Sequence, residues 1–98
     1  MSRPKKDRCI NCSPSSSCFK PKGIPLYQLK EVILNLDEFE AIRLADYEGL
    51  YHEKAAEQMN ISRSTFGRII DNARSKVADT IINGKALQIE IVNKKTEV

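Results

Sequence analysis

One stretch near the middle of the chain limits the possible folds more than any other, because it has the outline of two helices joined by a tight turn. It runs from Tyr51 to Ile82 and reads YHEKAAEQMNISRSTFGRIIDNARSKVADTII. Asn60 is the best non-glycine residue for the positive φ that such a turn needs. Ser62 can cap the following helix by accepting a backbone N–H group. The stretch therefore predicts a helix-turn-helix.

The second predicted helix, Ser62 to Ile82, has an apolar stripe and a polar opening. The stripe consists of Phe66, Ile69, Ile70, Ala73, Val77 and Ile81. These residues recur mostly at spacings of three and four, which is the helical period. The polar opening turns carry Arg63, Ser64, Thr65 and Arg68. Gly67 removes a side chain from that face, so that a ligand could come close. The pattern is typical of a helix that enters a DNA major groove, and a capped helical hairpin with solvated charges is the plainer alternative.

Length and charge set broad limits on the rest of the chain. Its 98 residues predict a single domain. The formal charge is about +5 over residues 1–22, about −5 over 23–60 and about +3 over 61–98. Such a basic–acidic–basic order suits a nucleic-acid ligand, because attraction to phosphate dominates affinity. There is no apolar run of roughly 18 residues and no signal peptide, so we expect no membrane association and a cytoplasmic location.

The expected fold class is mainly α, a three-helix or four-helix helix-turn-helix domain with short flanking strands. The first helix should run from Leu36 to about Glu48, after a capping box at Asn35 and Glu38 and before a terminating glycine at position 49. Residues 29–34 and 85–92 are predicted strands that could pair with each other, within the chain or between two copies.

The domain boundaries follow from composition. Residues 1–23 should form a basic N-terminal arm containing cysteine, serine and proline, and residues 24–92 should form the helix-turn-helix domain. Residues 93–98 should be a frayed tail.

The N-terminal arm allows two functional interpretations. Arg3, Lys5 and Lys6 could follow DNA phosphates, or they could belong to a solvated tail. Its cysteines, which are Cys9, Cys12 and Cys18, have the spacing C-x₂-C-x₅-C. A close thiol pair can share a zinc ion, but three cysteines do not complete a zinc site. His52 could supply a fourth ligand or could equally be a surface residue, so no cofactor is expected and zinc remains an alternative.

An enzymatic function is not expected. Asp37, Glu38 and Glu40 stand close together, but negative charge at the start of a helix is explained by the helix dipole. No nucleophile converges on them in the sequence.

Several runs of the chain carry a resemblance to a known family. They are RPKK near the start, FKPKGIP at 19–25, LDEFEAIRLADYEGLYHEKAAEQMNISRSTFGRIIDNARSKVAD at 36–79, and NGKALQIE. The chain resembles the family described as domain of unknown function 134, or uncharacterised protein family 0251, whose members are small predicted DNA-binding proteins. Its helices are also similar to region 4 of bacterial sigma factors, a winged-helix-like, promoter-reading module.

The resemblance implies a role like that of a transcriptional regulator, no enzyme activity and no established ligand. It places base contacts at Arg63, Ser64, Thr65 and Arg68. The run CINCSPSSSC departs from what we expect of the family and weakens the metal hypothesis.

The main hypothesis is therefore a protein that reads double-stranded DNA through the helix beginning at Ser62. Ser62, Arg74 and Lys76 are the expected DNA-backbone contacts of this domain. A homodimer is expected, since one helix reads few base pairs, and the terminal strands could form it. A first alternative is an interaction module that contacts a protein of the transcription machinery through the acidic helix. A second is a metal-responsive or thiol-responsive switch built on the three cysteines.

Overall fold

Helical segments, mainly three α-helices, form most of the part of the chain that the structure, a computed structural model, describes, namely residues 17–90. Helix α1 spans Leu36–Ile42, α2 spans His52–Met59 and α3 spans Arg63–Asn83. A short 3₁₀ turn at Leu26–Gln28 precedes them. The mainly helical architecture predicted from the sequence is confirmed.

Local side-chain chemistry starts and ends these helices. At the start of α1 the Asn35 backbone N–H donates to Glu38 Oε1 at 2.9 Å, as in a capping box. Asn60 ends α2 in the left-handed conformation, with φ of 59°. The Ser62 hydroxyl then accepts the Thr65 backbone N–H at 3.1 Å and caps α3. All three predicted signals are confirmed.

The last turn of the first helical segment is wider than an α-helical turn. Residues Arg43–Tyr47 form a π-helical turn, in which the Glu48 N–H donates to the Arg43 carbonyl at 2.8 Å. Gly49, with φ of 78°, then reverses the chain. The predicted extent, Leu36 to Glu48, is confirmed, whereas the type of this turn was not foreseen. Such turns are rare and interrupt the regular helical hydrogen-bond pattern.

A three-stranded sheet lies at the far end of α3. Strand β1 spans Cys18–Phe19, β2 spans Glu31–Leu34 and β3 spans Ala86–Ile89. Their order in the sheet is β1-β3-β2. Strand β3 therefore lies in the middle, with a neighbour on each side.

The predicted pairing of residues 29–34 with 85–92 is confirmed and occurs within the chain. Strands β2 and β3 run parallel, with Leu34 opposite Ile89, so all three helices lie in the connection between them. Cys18 and Phe19, which the sequence placed in an irregular arm, instead pair antiparallel with β3. Two residues are too few to show the alternation from which a strand is predicted.

Buried apolar residues form two clusters. The first, here called the hairpin core, joins α1, α2 and the first half of α3 and consists of Ala41, Leu44, Ala55, Ala56, Met59, Phe66, Ile69 and Ile70. The second, here called the sheet core, lies between the sheet and α3 and consists of Leu34, Ala73 and Ile89. Helix α3 contributes to both clusters and connects them.

The apolar stripe predicted along α3 is covered for only part of its length. Its members up to Ala73 are buried and Val77 is half-buried, but Ile81 is 72% exposed. Its neighbour Ile82 is 78% exposed. The helical period shows which residues share a face, but it does not show whether another element covers that face.

Two acidic residues of α1 are buried inside the fold. Glu40 is fully buried, and its carboxylate accepts from Arg43 Nε at 2.8 Å and from Arg43 Nη2 at 3.0 Å. Glu38 accepts from Lys76 Nζ at 2.8 Å. These carboxylates are therefore engaged in internal contacts.

None of the helices within residues 17–90 combines the length and apolar character that crossing a bilayer requires.

Candidate nucleic-acid interface

The opening turns of α3 project a polar surface on a buried support. Arg63, Ser64 and Arg68 are exposed, whereas Phe66 on the opposite side is fully buried in the hairpin core. The left-handed turn at Asn60 directs the chain from α2 into α3. The polar end of α3 is thus fixed by packing and by a cap, so little further ordering would be needed to bind a ligand.

The four predicted base-contact residues occupy different parts of this surface. On a helix with about 3.6 residues per turn, Ser64 and Arg68 point almost directly away from Phe66. Arg63 leans to one side, towards the start of α2, where it shares a depression with Tyr51 and other residues. Thr65 lies on the other side, beside the start of α1, and is half-buried. Ser64 and Arg68 are therefore central, and Arg63 and Thr65 flank them.

A chain of hydrogen bonds orders the hydroxyl groups beside Arg68. The Ser62 hydroxyl lies 2.9 Å from Thr65 Oγ1 and 3.3 Å from Ser64 Oγ. Thr65 Oγ1 in turn accepts from Arg68 Nη2 at 3.5 Å, which is a long hydrogen bond. A guanidinium group has five N–H donors. This contact therefore steers the Arg68 side chain and leaves donors for a ligand.

Gly67 leaves open space on this side of α3. A Cβ atom built at this position would meet nothing within 4 Å. Internal packing therefore does not require a glycine here, although glycine costs about 1 kcal/mol in a helix interior relative to alanine. Close approach of an external molecule is a physical reason to keep it.

Two of the predicted backbone-contact residues make internal ion pairs. Arg74 binds Asp46 through both a 2.8 Å and a 3.2 Å hydrogen bond. The hydrogen bond to Asp46 raises the pKa of Arg74. Lys76 donates to Glu38 and also to the Ile33 carbonyl at 2.7 Å. Lys76 therefore joins α3 to β2 and α1, while Arg74 remains about half-exposed.

The remaining predicted contacts concern the N-terminal arm and the cysteines. Arg3, Lys5 and Lys6 lie outside the described residues, as do Cys9 and Cys12. Cys18 lies in β1 and is half-buried. Within residues 17–90, no three or more side chains able to ligate a metal come together. The zinc and thiol hypotheses therefore stay untested predictions.

His52 and Tyr51 have roles that the sequence did not reveal. The His52 ring packs edge-on against Phe66, with the ring centroids 5.2 Å apart. Tyr51 is 87% exposed and lines the same depression as Arg63. The position of Tyr51 just before α2 could have marked it as a candidate interface residue, because the first helix of a helix-turn-helix crosses the DNA backbone.

Comparison with known proteins gives a family without an assigned function. The family model described as "Protein of unknown function DUF134" matches residues 1–97. A UPF0251 protein of Prosthecochloris aestuarii is 54% identical over 97 residues, covering 97% of this chain and 63% of the relative. A UPF0251 protein of Thermoanaerobacter pseudethanolicus is 53% identical over 90 residues, covering 92% of this chain and 76% of the relative.

A third relative is a UPF0251 protein of Caldanaerobacter subterraneus, 53% identical over 95 residues, with 97% of this chain and 80% of the relative covered. This chain thus spans under two thirds of the Prosthecochloris relative and about four fifths of the Caldanaerobacter one. No solved structure matches it.

Proposed function

This chain belongs to the DUF134 family of proteins of unknown function, and from its geometry we propose that it binds double-stranded DNA through the first half of α3. The observation that carries the proposal is the exposed polar surface of Arg63, Ser64 and Arg68, mounted on the buried hairpin core. The role is that of a transcriptional regulator that recognises a DNA sequence.

The dimensions and chemistry of this surface support the proposal. The major groove is about 12 Å wide and admits one α-helix. Arginine presents a fork of donors that matches O6 and N7 of guanine, so Arg63 and Arg68 are the proposed guanine contacts. Ser64 and Thr65 can donate to bases or to phosphates. The Ser62 hydroxyl is occupied by the cap, so Ser62 contributes to binding mainly by holding this end of α3.

Backbone contacts would lie on both sides of this helix. Arg74 is half-exposed and could reach a phosphate if it exchanged its contact with Asp46. Lys76 is the weakest of the proposed backbone contacts, because it already bridges Glu38 and Ile33. The basic residues Arg3, Lys5 and Lys6 remain proposed contacts of the N-terminal arm.

Selection from a random duplex library at moderate salt tests the proposal. The full chain should enrich a motif, and Arg68→Ala should weaken binding to it by about 1–3 kcal/mol, with relaxed preference at one position. Arg63→Ala should act at a different position. Lys54→Ala is the charge-matched control, because Lys54 is an exposed cation on α2 that pairs with Glu57 at 3.6 Å.

The outcomes separate specific from general DNA binding. Loss of motif preference in Arg68→Ala but not in Lys54→Ala supports the assignment. Equal, salt-dependent losses in both variants would mean that only phosphate attraction is involved. Absence of any enrichment would reject sequence-specific reading.

Substitution of Gly67 gives a second test that separates stability from binding. Gly67→Ala should raise the free energy of unfolding by roughly 0.5–1 kcal/mol, because its Cβ meets open space. The same variant should bind DNA more weakly if the groove comes close to this face. Ser75→Ala, at an exposed position two turns further along, should leave DNA affinity unchanged. Unchanged affinity in Gly67→Ala would show that DNA does not approach this face.

The alternative of an acidic protein-docking face has less structural support. Glu38 and Glu40 are buried and paired with Lys76 and Arg43, so they are not presented to a partner. Weak binding to duplex DNA at low salt, together with capture of a transcription-machinery protein, would favour this alternative.

A further inference from the structure

The C-terminal half of α3 carries an apolar surface that the proposed DNA contact does not use. Ile81 protrudes and is 72% exposed, and an open groove lies on each side of it. The first groove is lined by Ile42, Val77 and Ala78 with the Asp46–Arg74 pair. The second is lined by Phe19, Lys20, Pro21, Thr80, Gly84 and Lys85. We call Ile81 with these two grooves the Ile81 ridge.

We propose that the Ile81 ridge binds the same ridge of a second copy of this chain, forming a two-fold symmetric dimer. A two-fold interface brings one surface against itself. A protruding side chain flanked by two grooves is complementary to itself, since the Ile81 of each copy can enter a groove of the other. Helices generally pack in this way, with ridges entering grooves.

The charges around the ridge favour a second copy over an acidic or a basic partner. Asp46 is already paired with Arg74, and Lys85 with Asp79 at 2.9 Å. Lys20 donates to the Ile24 carbonyl at 2.8 Å. Two identical surfaces with paired charges repel each other little on close approach. A strongly charged partner would find few free opposite charges to bind.

The direction of the ridge also suits a dimer that reads DNA. Ile81 lies roughly 100° round the helix from the outward face on which Ser64, Arg68 and Asp71 lie. A two-fold axis lies in the plane of its interface, so here it can run nearly parallel to the direction in which the outward face points. The Arg68 side chains of both copies would then face the same side, as one duplex requires.

The length of α3 gives a matching spacing. Arg68 and Ile81 are 13 residues apart, which is about 20 Å along a helix. Two copies joined at Ile81 therefore place their Arg68 residues up to about 40 Å apart, and less if the helices cross. Neighbouring half-sites on DNA lie about 34–36 Å apart. This spacing argument rests on the proposed function, whereas the surface and charge arguments do not.

The interface differs from the one that the sequence suggested. A dimer through β3 would need a free edge on that strand, but β1 and β2 already flank it. The outer edges of β1 and β2 are the strand edges that remain in the described sheet.

Sedimentation equilibrium of the full chain without DNA tests the dimer. The wild-type chain should dimerise, and Ile81→Glu should raise the dimer Kd by at least about tenfold, because the interface would bury an unpaired charge. Ile81→Leu should retain the dimer. Ile33→Glu is the matched control, because Ile33 is 48% exposed on the opposite face of the sheet. Equal melting temperatures for Ile81→Glu and the wild type, measured at a concentration where both are monomeric, would show that folding is intact.

Isotope-filtered NOEs in a mixed labelled sample give a second measurement. Contacts between the Ile81 methyl groups of one copy and Val77 or Phe19 of the other support the proposal. A wild-type chain that stays monomeric at millimolar concentration, or a dimer that Ile81→Glu leaves intact, would overturn it. Contacts from Ile81 to residues 91–98 of its own chain would also overturn it. A dimer that binds no DNA would reject the proposed function and leave this inference standing.

Discussion

The hairpin core and the sheet core stabilise opposite halves of α3 by different means. The hairpin core has eight buried apolar residues, including the fully buried Phe66 and Ile70. The sheet core has three. On the sheet side much of the attachment is polar, through the contacts of Lys76 with β2 and α1 and the Asp79–Lys85 pair.

Stability is therefore divided along a single helix, with apolar burial in one half and more polar contacts in the other. Burial of apolar side chains depends little on pH or salt, whereas half-exposed ion pairs depend on both. The proposed DNA-reading half should therefore stay ordered under conditions that loosen the sheet half.

Loss of a large side chain should affect the two cores unequally. Phe66→Ala should lower the free energy of unfolding by about 3–5 kcal/mol, because it empties the centre of the hairpin core. Phe39→Ala, which truncates a half-buried ring beside the sheet core, should cost clearly less. Urea denaturation measures both. Equal losses would show that the two cores contribute alike.

Removal of the Lys76 ammonium should weaken the link between α3 and the sheet. Lys76→Met keeps the aliphatic stem but leaves Glu38 and the Ile33 carbonyl without this donor, at a cost of about 1–3 kcal/mol. Lys54→Met, at an exposed cation of α2, should cost under about 1 kcal/mol. If the two variants are equally stable in urea, the Lys76 bridge does not support the fold.

Loss of the cap at the start of α3 should have a moderate effect. Ser62→Ala removes the acceptor of the Thr65 N–H and should cost about 1 kcal/mol. Amide hydrogen exchange should rise most in the first turn of α3 and little near Ala73. Ser75→Ala, an exposed serine in the middle of the same helix, should not raise exchange there. A uniform rise in Ser62→Ala would mean that the hairpin core does not confine the disturbance.

The smallest effect should depend on pH. Hydrogen bonds from Asn83 and then from Lys85 lower the pKa of Asp79. A lowered pKa stabilises the fold at neutral pH, and this contribution is lost as the pH falls through the titration of the folded carboxyl. Asp79→Asn should therefore melt slightly below the wild type at pH 7, and the gap should close in acid. Asp71→Asn is the control, since Asp71 is an exposed acid on the same helix. A gap that persists in acid would contradict the assigned cause.

Signals that act over a few residues were readable from the sequence. The Asn35–Glu38 box, Asn60 in its left-handed turn and the Ser62 cap each depend on residues at most three positions apart. The candidate interface could be predicted for the same reason, because the helical period alone places Ser64 and Arg68 opposite Phe66. The exposed state of Arg63 and Arg68 agrees with that pattern.

Contacts between distant residues were not readable in this way. No sequence pattern assigns Asp46 to Arg74, 28 positions away, or Glu38 to Lys76, 38 positions away. Lys76 consequently appeared as a DNA contact, although it bridges three elements of the fold. The acidic cluster of α1 likewise looked like a surface feature, yet Glu38 and Glu40 are buried.

The start and end of each helix, and the side chains that share a face, follow from the sequence alone, because capping and periodicity act locally along the chain. Which of those faces are covered depends on how the elements pack in three dimensions. The fold buries the apolar stripe of α3 as far as Ala73 and leaves Ile81 exposed, and it adds β1 to a sheet in which β2 and β3 run parallel. Burial and strand pairing depend on contacts with segments that are distant in the sequence, and no local pattern predicts those contacts.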